Sequence, residues 1–241
     1  MRLAALADVH GNISALQCVI DDIRKEGIDN IIVLGDLVMV GPAPESVMCA
    51  VHALNPICWI KGNTDMWLEE MSCGWEPKTT REQYLFRYYQ FAESKLTEAD
   101  INFLSNLPIK KSVRVVDTDI LCVHGSPRSV TEIMDHRVPI DEMEKMVEEV
   151  DETIVVCGHS HFPYIGRIED KHIFNVGSVG RPFDGNALAS YGILDLSSPG
   201  NPECIIRRIN YPVNKTLGLA RESGFPNSDA YEGSLLNARL S

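Results

Sequence analysis

The hydrophobic residues of this chain come in short bursts that alternate between two periods. Residues 3–7 (Leu-Ala-Ala-Leu-Ala) form an unbroken apolar run, the pattern of a strand buried on both faces. From Ile13, apolar residues recur at Leu16, Val19, Ile20 and Ile23 before Gly27, which predicts a helix over 13–26 stopped by the glycine. The rhythm repeats with a strand over 28–34, a helix over about 45–54 opened by Pro42 and Pro44, and a strand over 57–60. Three successive β-α units predict a parallel sheet with right-handed crossovers.

Residues 66–108 break this rhythm. The stretch 80–92 carries Tyr84, Phe86, Tyr88, Tyr89 and Phe91, an aromatic stripe at helical spacing that predicts packing. Thr97, with Asp100 three residues on, predicts the cap of a further helix beginning at Glu98. The segment therefore reads as a helical insertion near the mouth of the sheet. Beyond it, 112–116 and 119–123 flank Asp117-Thr118 as a hairpin, and a helix over 139–150 leads to a strand over 154–157. Strands over 164–168, 172–175, 189–195 and 204–209 follow with turns between them, which predicts a more antiparallel second sheet. A helix over 213–223 closes the ordered part. The Gly/Pro/Asn/Ser-rich residues from about 224 onward predict a loose tail of the single domain.

The polar residues are concentrated where strands end. Asp8 and His10 follow the first strand, Asp36 the second and Asn63 the third. His124 follows the second strand of the hairpin, and His159 and His161 follow the burst Ile-Val-Val-Cys-Gly. Ligands of open α/β sheets gather outside the carboxyl ends of strands. All seven residues carry oxygen or nitrogen donors and none is a thiolate. Such a set suits Mn, Fe, Zn or Ni, and it is too large for one tetrahedral ion. Two ions sharing a carboxylate use it fully. Such a pair generates hydroxide from a shared water at neutral pH and clamps the oxygens of an in-line displacement, chemistry best matched to a phosphate ester.

Composition narrows the setting. A formal net charge of −12 disfavours nucleic acid as a partner. No apolar run approaches the length of a membrane span, and the start of the chain leads directly into a strand with no room for a signal peptide. Seven scattered cysteines without a Cys-x-x-Cys pair read as reduced core thiols. A cytoplasmic protein is expected.

Asp8-Val9-His10-Gly11-Asn12, Gly35-Asp36, Gly62-Asn63-x-Asp65, His124-Gly125 and Gly158-His159-Ser160-His161, in this order, resemble the motifs of the calcineurin-like metallophosphoesterases. Together with residues 175–182 and the closing strands they resemble the family's small prokaryotic phosphodiesterase branch. The resemblance implies an α/β (α+β) fold, a four-layer αββα sandwich of two mixed sheets, around a dinuclear site. It implies that Asp8, His10, Asp36 and His161 bind one metal, and that Asp36, Asn63, His124 and His159 bind the other, with Asp36 as the bridge. The ions would be two divalent metals, manganese favoured. The implied reaction is attack on a small soluble, nucleotide-like diester by a metal-bridging hydroxide.

One position departs from the pattern. Many family members carry histidine directly after the asparagine, where it assists the leaving group, whereas this chain has Thr64. That departure speaks for diesters over monoesters with alkoxide leaving groups. The alternatives are a phosphomonoesterase, a dinucleoside polyphosphate hydrolase, or a non-catalytic scaffold of the same fold. Asp65 is a candidate orienting residue for catalysis, or else a helix cap. Asn12 either contacts the substrate phosphate or caps the first helix. Arg181 either binds an anionic substrate or is a solvated arginine beside Pro182. Arg128 and His136 lie in the loop after His124, while His52 and His172 fall in helix and strand contexts and read as structural.

Overall fold

The computed structural model describes residues 1–198 and 200–240, Ser72 by its backbone alone. The β-α rhythm appears as read: β1 (Arg2–Leu6), α1 (Ile13–Lys25), β2 (Asn30–Val33), α2 (Pro44–Leu54) and β3 (Cys58–Trp59). The interrupting segment is three helices, α3 (Asn63–Ser72), α4 (Thr80–Glu93) and α5 (Glu98–Ser105). Thr79 and Thr97 cap the last two, each accepting from the third helical N–H while Glu82 and Asp100 bond back. The hairpin β4 (Lys110–Val115) and β5 (Thr118–Val123) leads through α6 (Ile140–Val147) to β6 (Ile154–Cys157). Then come β7 (Tyr164–Ile168), β8 (Lys171–Asn175), β9 (Ala189–Asp195), β10 (Glu203–Ile209), α7 (Val213–Glu222) and α8 (Ser228–Asn237).

Two five-stranded sheets result, ordered β10-β9-β1-β2-β3 and β4-β5-β6-β8-β7. Strand periodicity sends alternate residues to opposite faces, and the packing follows it. Leu3, Ala5 and Ala7 of the first strand face a core between the sheets that also holds Ile120, Cys122, Ile154, Val156 and Phe174. Ala4 and Leu6 face the other way, onto Leu16, Val19, Ile23, Val47 and Val51 of α1 and α2. On the far side Val155 and Cys157 pack under Met143, Met146 and Val147 of α6. The layers are therefore helix, sheet, sheet, helix, the αββα sandwich.

Two expectations need correction. The second sheet is no more antiparallel than the first, since each has two parallel and two antiparallel pairings: β5, β6 and β8 run parallel with β4 and β7 reversed at the edges, while β9 and β10 join the first sheet beside β1. The chain turns twice between β6 and β8, through β7, so β8 returns to the original direction and lies beside β6. Nor are the residues beyond 224 a loose tail. They form α8, whose Tyr231 and Leu235 are buried against Phe225 and Leu217.

Candidate metal centre

The parallel strands β1, β2 and β3 of one sheet and β5 and β6 of the other end at the same edge of the sandwich, and their loops interlock. The loops after β1 and β2 stay hydrogen-bonded past the strands: Asp8 N donates to Gly35 O, His10 N to Asp36 O and Gly11 N to Leu37 O. From the second sheet, His159 N donates to Asp8 Oδ2 (2.8 Å) and His124 Nδ1 to Leu34 O (2.6 Å). Two glycines permit the approach. A Cβ on Gly62 would stand 2.1 Å from Asp36 Oδ1, and one on Gly158 would stand 2.5 Å from Ala7 Cβ and 2.7 Å from Asp8 Oδ2.

Five of the seven strand-end residues have left-handed backbone: Asp8 (φ 55°), His10 (46°), Asp36 (55°), His159 (62°) and His161 (59°). This region costs non-glycine residues about 1–3 kcal/mol each and persists only where surroundings enforce it. The strain turns successive side chains inward instead of letting them alternate outward.

The donors converge. Asp8 Oδ1 lies 3.2 Å from His161 Nε2, 3.8 Å from His10 Nε2 and 3.9 Å from His124 Nε2. Asp36 presents Oδ2 to His10 Nε2 (3.7 Å) and Oδ1 to His124 Nε2 (3.5 Å). Two compact groups emerge, Asp8–His10–His161 and Asp8–Asp36–His124, in each of which the candidate ligand atoms lie within 4.8 Å of one another. Asp8 is common to both, and Asp36 reaches towards both through its two oxygens. Asn63 Oδ1 sits 3.1 Å from His124 Nε2. His159 stands further out, in neither compact group, with its ring 5.1 Å from that of His124 and Nε2 donating to Thr131 O.

Each inner imidazole is anchored through Nδ1 to a backbone carbonyl: His10 to Met39 O, His124 to Leu34 O and His161 to Arg181 O. A carbonyl only accepts, so Nδ1 carries the proton and Nε2 is the atom aimed inward, the arrangement found behind metal-ligating histidines. His10 Nε2 and His161 Nε2 face each other at 3.2 Å, and the buried Asp8 Oδ1 has no hydrogen-bond donor. Carboxylate oxygens and facing imidazole nitrogens crowded this closely call for cations.

The electrostatics agree. Burial disfavours charge on Asp36, but the neighbouring His124 and His10 outweigh it and hold the carboxyl far below its ordinary range. For Asp8 likewise burial is outweighed, chiefly by His161, and the carboxyl stays low. Burial would also depress His124, yet the Asp36 and Asp8 carboxylates push it up to about 10. His10 goes the other way, held down to about 4, mainly by burial. Two deep carboxylates thus draw positive charge into the floor of the site.

Asp65 stands behind this floor. Its Oδ2 accepts from Asp36 N (2.8 Å) and Gly62 N (2.9 Å), so it both caps α3 and fixes the Asp36 turn. Burial, followed by the charge of Asp36, pushes it up to about 6. Thr64 donates its backbone N–H to Asp36 Oδ1 (2.8 Å), and its hydroxyl is buried without a partner.

The centre opens into a cleft of about 720 Å³ lined by His10, Asp36, Asn63, Thr64, His159 and His161 at its floor. Trp67, Tyr84, Leu85 and Tyr88 form one wall, and Arg181, Phe183, Asn227 and Tyr231 another. The aromatic insertion therefore divides: Phe86 stacks on Tyr89 and Phe91 meets Phe225 edge-on, whereas Tyr84 and Tyr88 reach the cleft. Arg181 is at the cleft. Asn12 is not: its fully buried amide caps α1 at Ala15 N, donates to Gly180 O and accepts from Thr216, so the cap reading replaces the substrate contact. Arg128 is exposed in ion pairs with Glu132 and Glu142, and His136 lies beside Phe162. His52 packs on Trp59 and Phe103, and His172 pairs within the second sheet. Phe183, which stacks on the His161 ring at 4.3 Å, was not singled out from sequence, nor were Asn227 and Tyr231. Phe183 follows Arg181 by two residues in the same loop, whereas the α8 pair carries no local signal.

The calcineurin-like phosphoesterase superfamily domain matches residues 1–199, and the chain belongs to that family. The chain is 28% identical over 228 residues to an uncharacterized protein of Methanocaldococcus jannaschii, covering 88% of this chain and 89% of that one. It is 24% identical over 210 residues to phosphodiesterase YfcE of Escherichia coli strain K12, covering 81% and 88%. Among solved structures, a metallophosphoesterase from Sphaerobacter thermophilus superposes with a TM-score of 0.81 at 25% identity, covering 99% of each chain. The chain is thus a metallophosphoesterase by family, with a candidate Asp/His metal cluster at its strand ends.

Proposed function

We propose that the chain is a dinuclear metal-dependent phosphodiesterase acting on a small soluble, nucleotide-like ester in the cytoplasm. The observation that carries this reading is the buried Asp8 Oδ1 without a donor, beside two imidazole Nε2 atoms that face each other at 3.2 Å. The donor set fits divalent cations, manganese favoured, with iron, zinc or nickel compatible. Asp8, His10, Asp36 and His161 would hold one ion, and Asp36, Asn63, His124 and His159 the other. When bound, the pair supplies a nucleophile at neutral pH and neutralises charge on the phosphoryl oxygens.

The chain's own residues do the rest. The Nδ1 anchors fix the imidazoles so that little reorganisation is needed when an ester arrives. Asp65 positions the Asp36 turn. Arg181 offers a cation to the substrate. Thr64 stands where a leaving-group acid would be expected, and its buried hydroxyl is no such acid at neutral pH. That absence weighs against monoesters with alkoxide leaving groups and so favours a diester. The E. coli relative is named a phosphodiesterase, which supports the same choice. Among the described residues no helix is long and apolar enough to cross a membrane, and all seven cysteines are free.

The test compares bis(p-nitrophenyl) phosphate with p-nitrophenyl phosphate on manganese-loaded protein, with Asp36→Asn as control. The expected result is faster turnover of the diester and loss of both activities in the variant. Faster monoester turnover would move the assignment to a phosphomonoesterase. A protein that binds no metal and cleaves neither ester would support a scaffold.

A further inference from the structure

The wall formed by the loop after β8 and by α8, against which Tyr88 and Phe91 of the insertion pack, holds polar groups that the floor of the site does not use. The Arg181 guanidinium lies 5.3 Å from the Phe183 ring centroid and 5.7 Å from that of Tyr231. Its Nη2 donates to Ser234 Oγ (3.3 Å), and its buried Nε has no acceptor. Among the described residues no carboxylate pairs with it. Two neighbours on the same wall are also unsatisfied. The hydroxyl of Tyr231, a residue 2% exposed, is buried without a partner, and the amide nitrogen of half-buried Asn227 is likewise buried without one. All three residues line the cleft. Asn227 sits at the start of α8 with φ 55° and makes no side-chain cap bond, so its amide is not spent on the helix.

Every unused group here is able to donate: a guanidinium N–H, a phenol O–H and an amide NH₂. Donors left buried without acceptors are costly. A fixed guanidinium between two aromatic rings is held for bidentate recognition of a carboxylate or phosphate. Ring contacts run from His161 to Phe183, from Phe183 to Arg181 and from Arg181 to Tyr231, and the Arg181 charge still reaches His10 at the floor. A guanidinium beside the floor, extended by the Tyr231 and Asn227 donors, has capacity for an anionic group besides the phosphoryl that is cleaved.

We propose that Arg181, Tyr231 and Asn227 form a second anion subsite, and that the substrate is a phosphodiester bearing a further anionic group on one of its alcohols. The proposal rests on the phosphodiesterase reading for the cleaved bond, but not for the binding of the second anion. Phosphate and carboxylate share the required chemistry.

The test uses the p-nitrophenyl ester of thymidine 5′-phosphate with a free 3′-hydroxyl, with a 3′-phosphate, or with a 3′-hemisuccinate. On manganese-loaded full-length protein the doubly anionic esters are expected to be favoured in kcat/KM by about tenfold or more, as for one charge-assisted contact. Which of the two is better identifies phosphate or carboxylate. In Arg181→Met the ratio between doubly and singly anionic esters falls towards one, and Arg181→Lys keeps part of it. Tyr231→Phe, which removes only the unpartnered hydroxyl, lowers the ratio by a smaller factor and serves if the arginine variant does not fold.

A second readout needs no turnover. In EDTA, calorimetric titration is expected to show thymidine 3′,5′-bisphosphate binding the wild type more tightly than Arg181→Met or Tyr231→Phe. Equal kcat/KM for all three esters, or a ratio unchanged by both variants, overturns the subsite while leaving the hydrolase reading intact. Bisphosphate binding that depends on Arg181 in a protein that cleaves no ester sinks the hydrolase reading and leaves the subsite standing.

Discussion

The arrangement of donors makes a quantitative claim about stability. His10 Nε2 and His161 Nε2 oppose each other at 3.2 Å, Asp8 Oδ1 has no donor, and Asp36 adds a second buried carboxylate. Any cation bound there is bound by the folded state alone, because these loops meet only when both sheets are formed. One site held at a hundredfold excess of free ion over Kd adds about 2.7 kcal/mol. A chain of this size gains roughly 2 °C per kcal/mol, so one ion raises Tm by roughly 5 °C and two by roughly 11 °C. Scanning calorimetry in EDTA and then in increasing Mn²⁺ checks this. Asp8→Asn is the discriminating variant. In EDTA its opposing effects are the lost attraction to His161 and His124 against relief of burial and of repulsion from Asp36, so the expected change is within about 1 kcal/mol. In Mn²⁺ the variant loses about half of the shift, because Asp8 belongs to the ligand set of one of the two proposed ions. No shift in the wild type at millimolar Mn²⁺, or an equal shift in Asp8→Asn, would refute the site.

Asp65→Asn keeps the shape but weakens the two bonds that fix the Asp36 turn. The concentration of Mn²⁺ giving half-maximal activity should rise about 10–100-fold, with recovery at high metal. Gly158→Ala forces a Cβ to 2.7 Å from Asp8 Oδ2, so soluble variant protein should bind less Mn²⁺ by equilibrium dialysis. Asp135, which bonds Arg137 and the Ser160 hydroxyl between His159 and His161, supplies a pH test on the support of that loop. Burial is outweighed by its bonds to Arg137 and its pKa is lowered from 3.8. A depressed carboxyl stabilises the fold above its unfolded value and loses that contribution as pH falls through the folded value. Asp135→Asn should therefore cost about 1–2 kcal/mol at pH 7 in urea unfolding, and the difference from wild type should shrink as the pH is lowered below 3.8.

Much of this was legible in the sequence because it rests on short-range pattern. The runs at 3–7 and 154–157 are apolar on both faces and became central strands, and the 3.6 period of Ile13 to Ile23 became α1. The donor residues were visible because each directly follows such a run. What was not legible depends on distant contacts. Residues 228–237 include two serines, a glycine and an asparagine, weak helix formers. The helix forms because Tyr231 and Leu235 find Phe225 and Leu217. Asn12 could not be assigned from spacing, since only the fold brings Gly180 and Thr216 to its amide. The direction of β8 was hidden in the same way, being set by how β7 folds back.

The backbone distinguishes a floor built to hold a ligand from a surface that only recognises a partner. Five donor residues hold left-handed conformations at about 1–3 kcal/mol each, and Asp8 and Asp36 are both buried, close enough for the Asp36 charge to oppose ionisation of Asp8. A surface that only recognised a partner would gain nothing from these costs, since Asp8, His10, Asp36, His124 and His161 are at most 5% exposed. Relaxing any one turn towards ordinary φ would swing its side chain away from the others. The strain is intelligible only if something bound at the floor returns that free energy. The loops that bear it join both sheets, so the same ligand would also fasten the two halves of the sandwich.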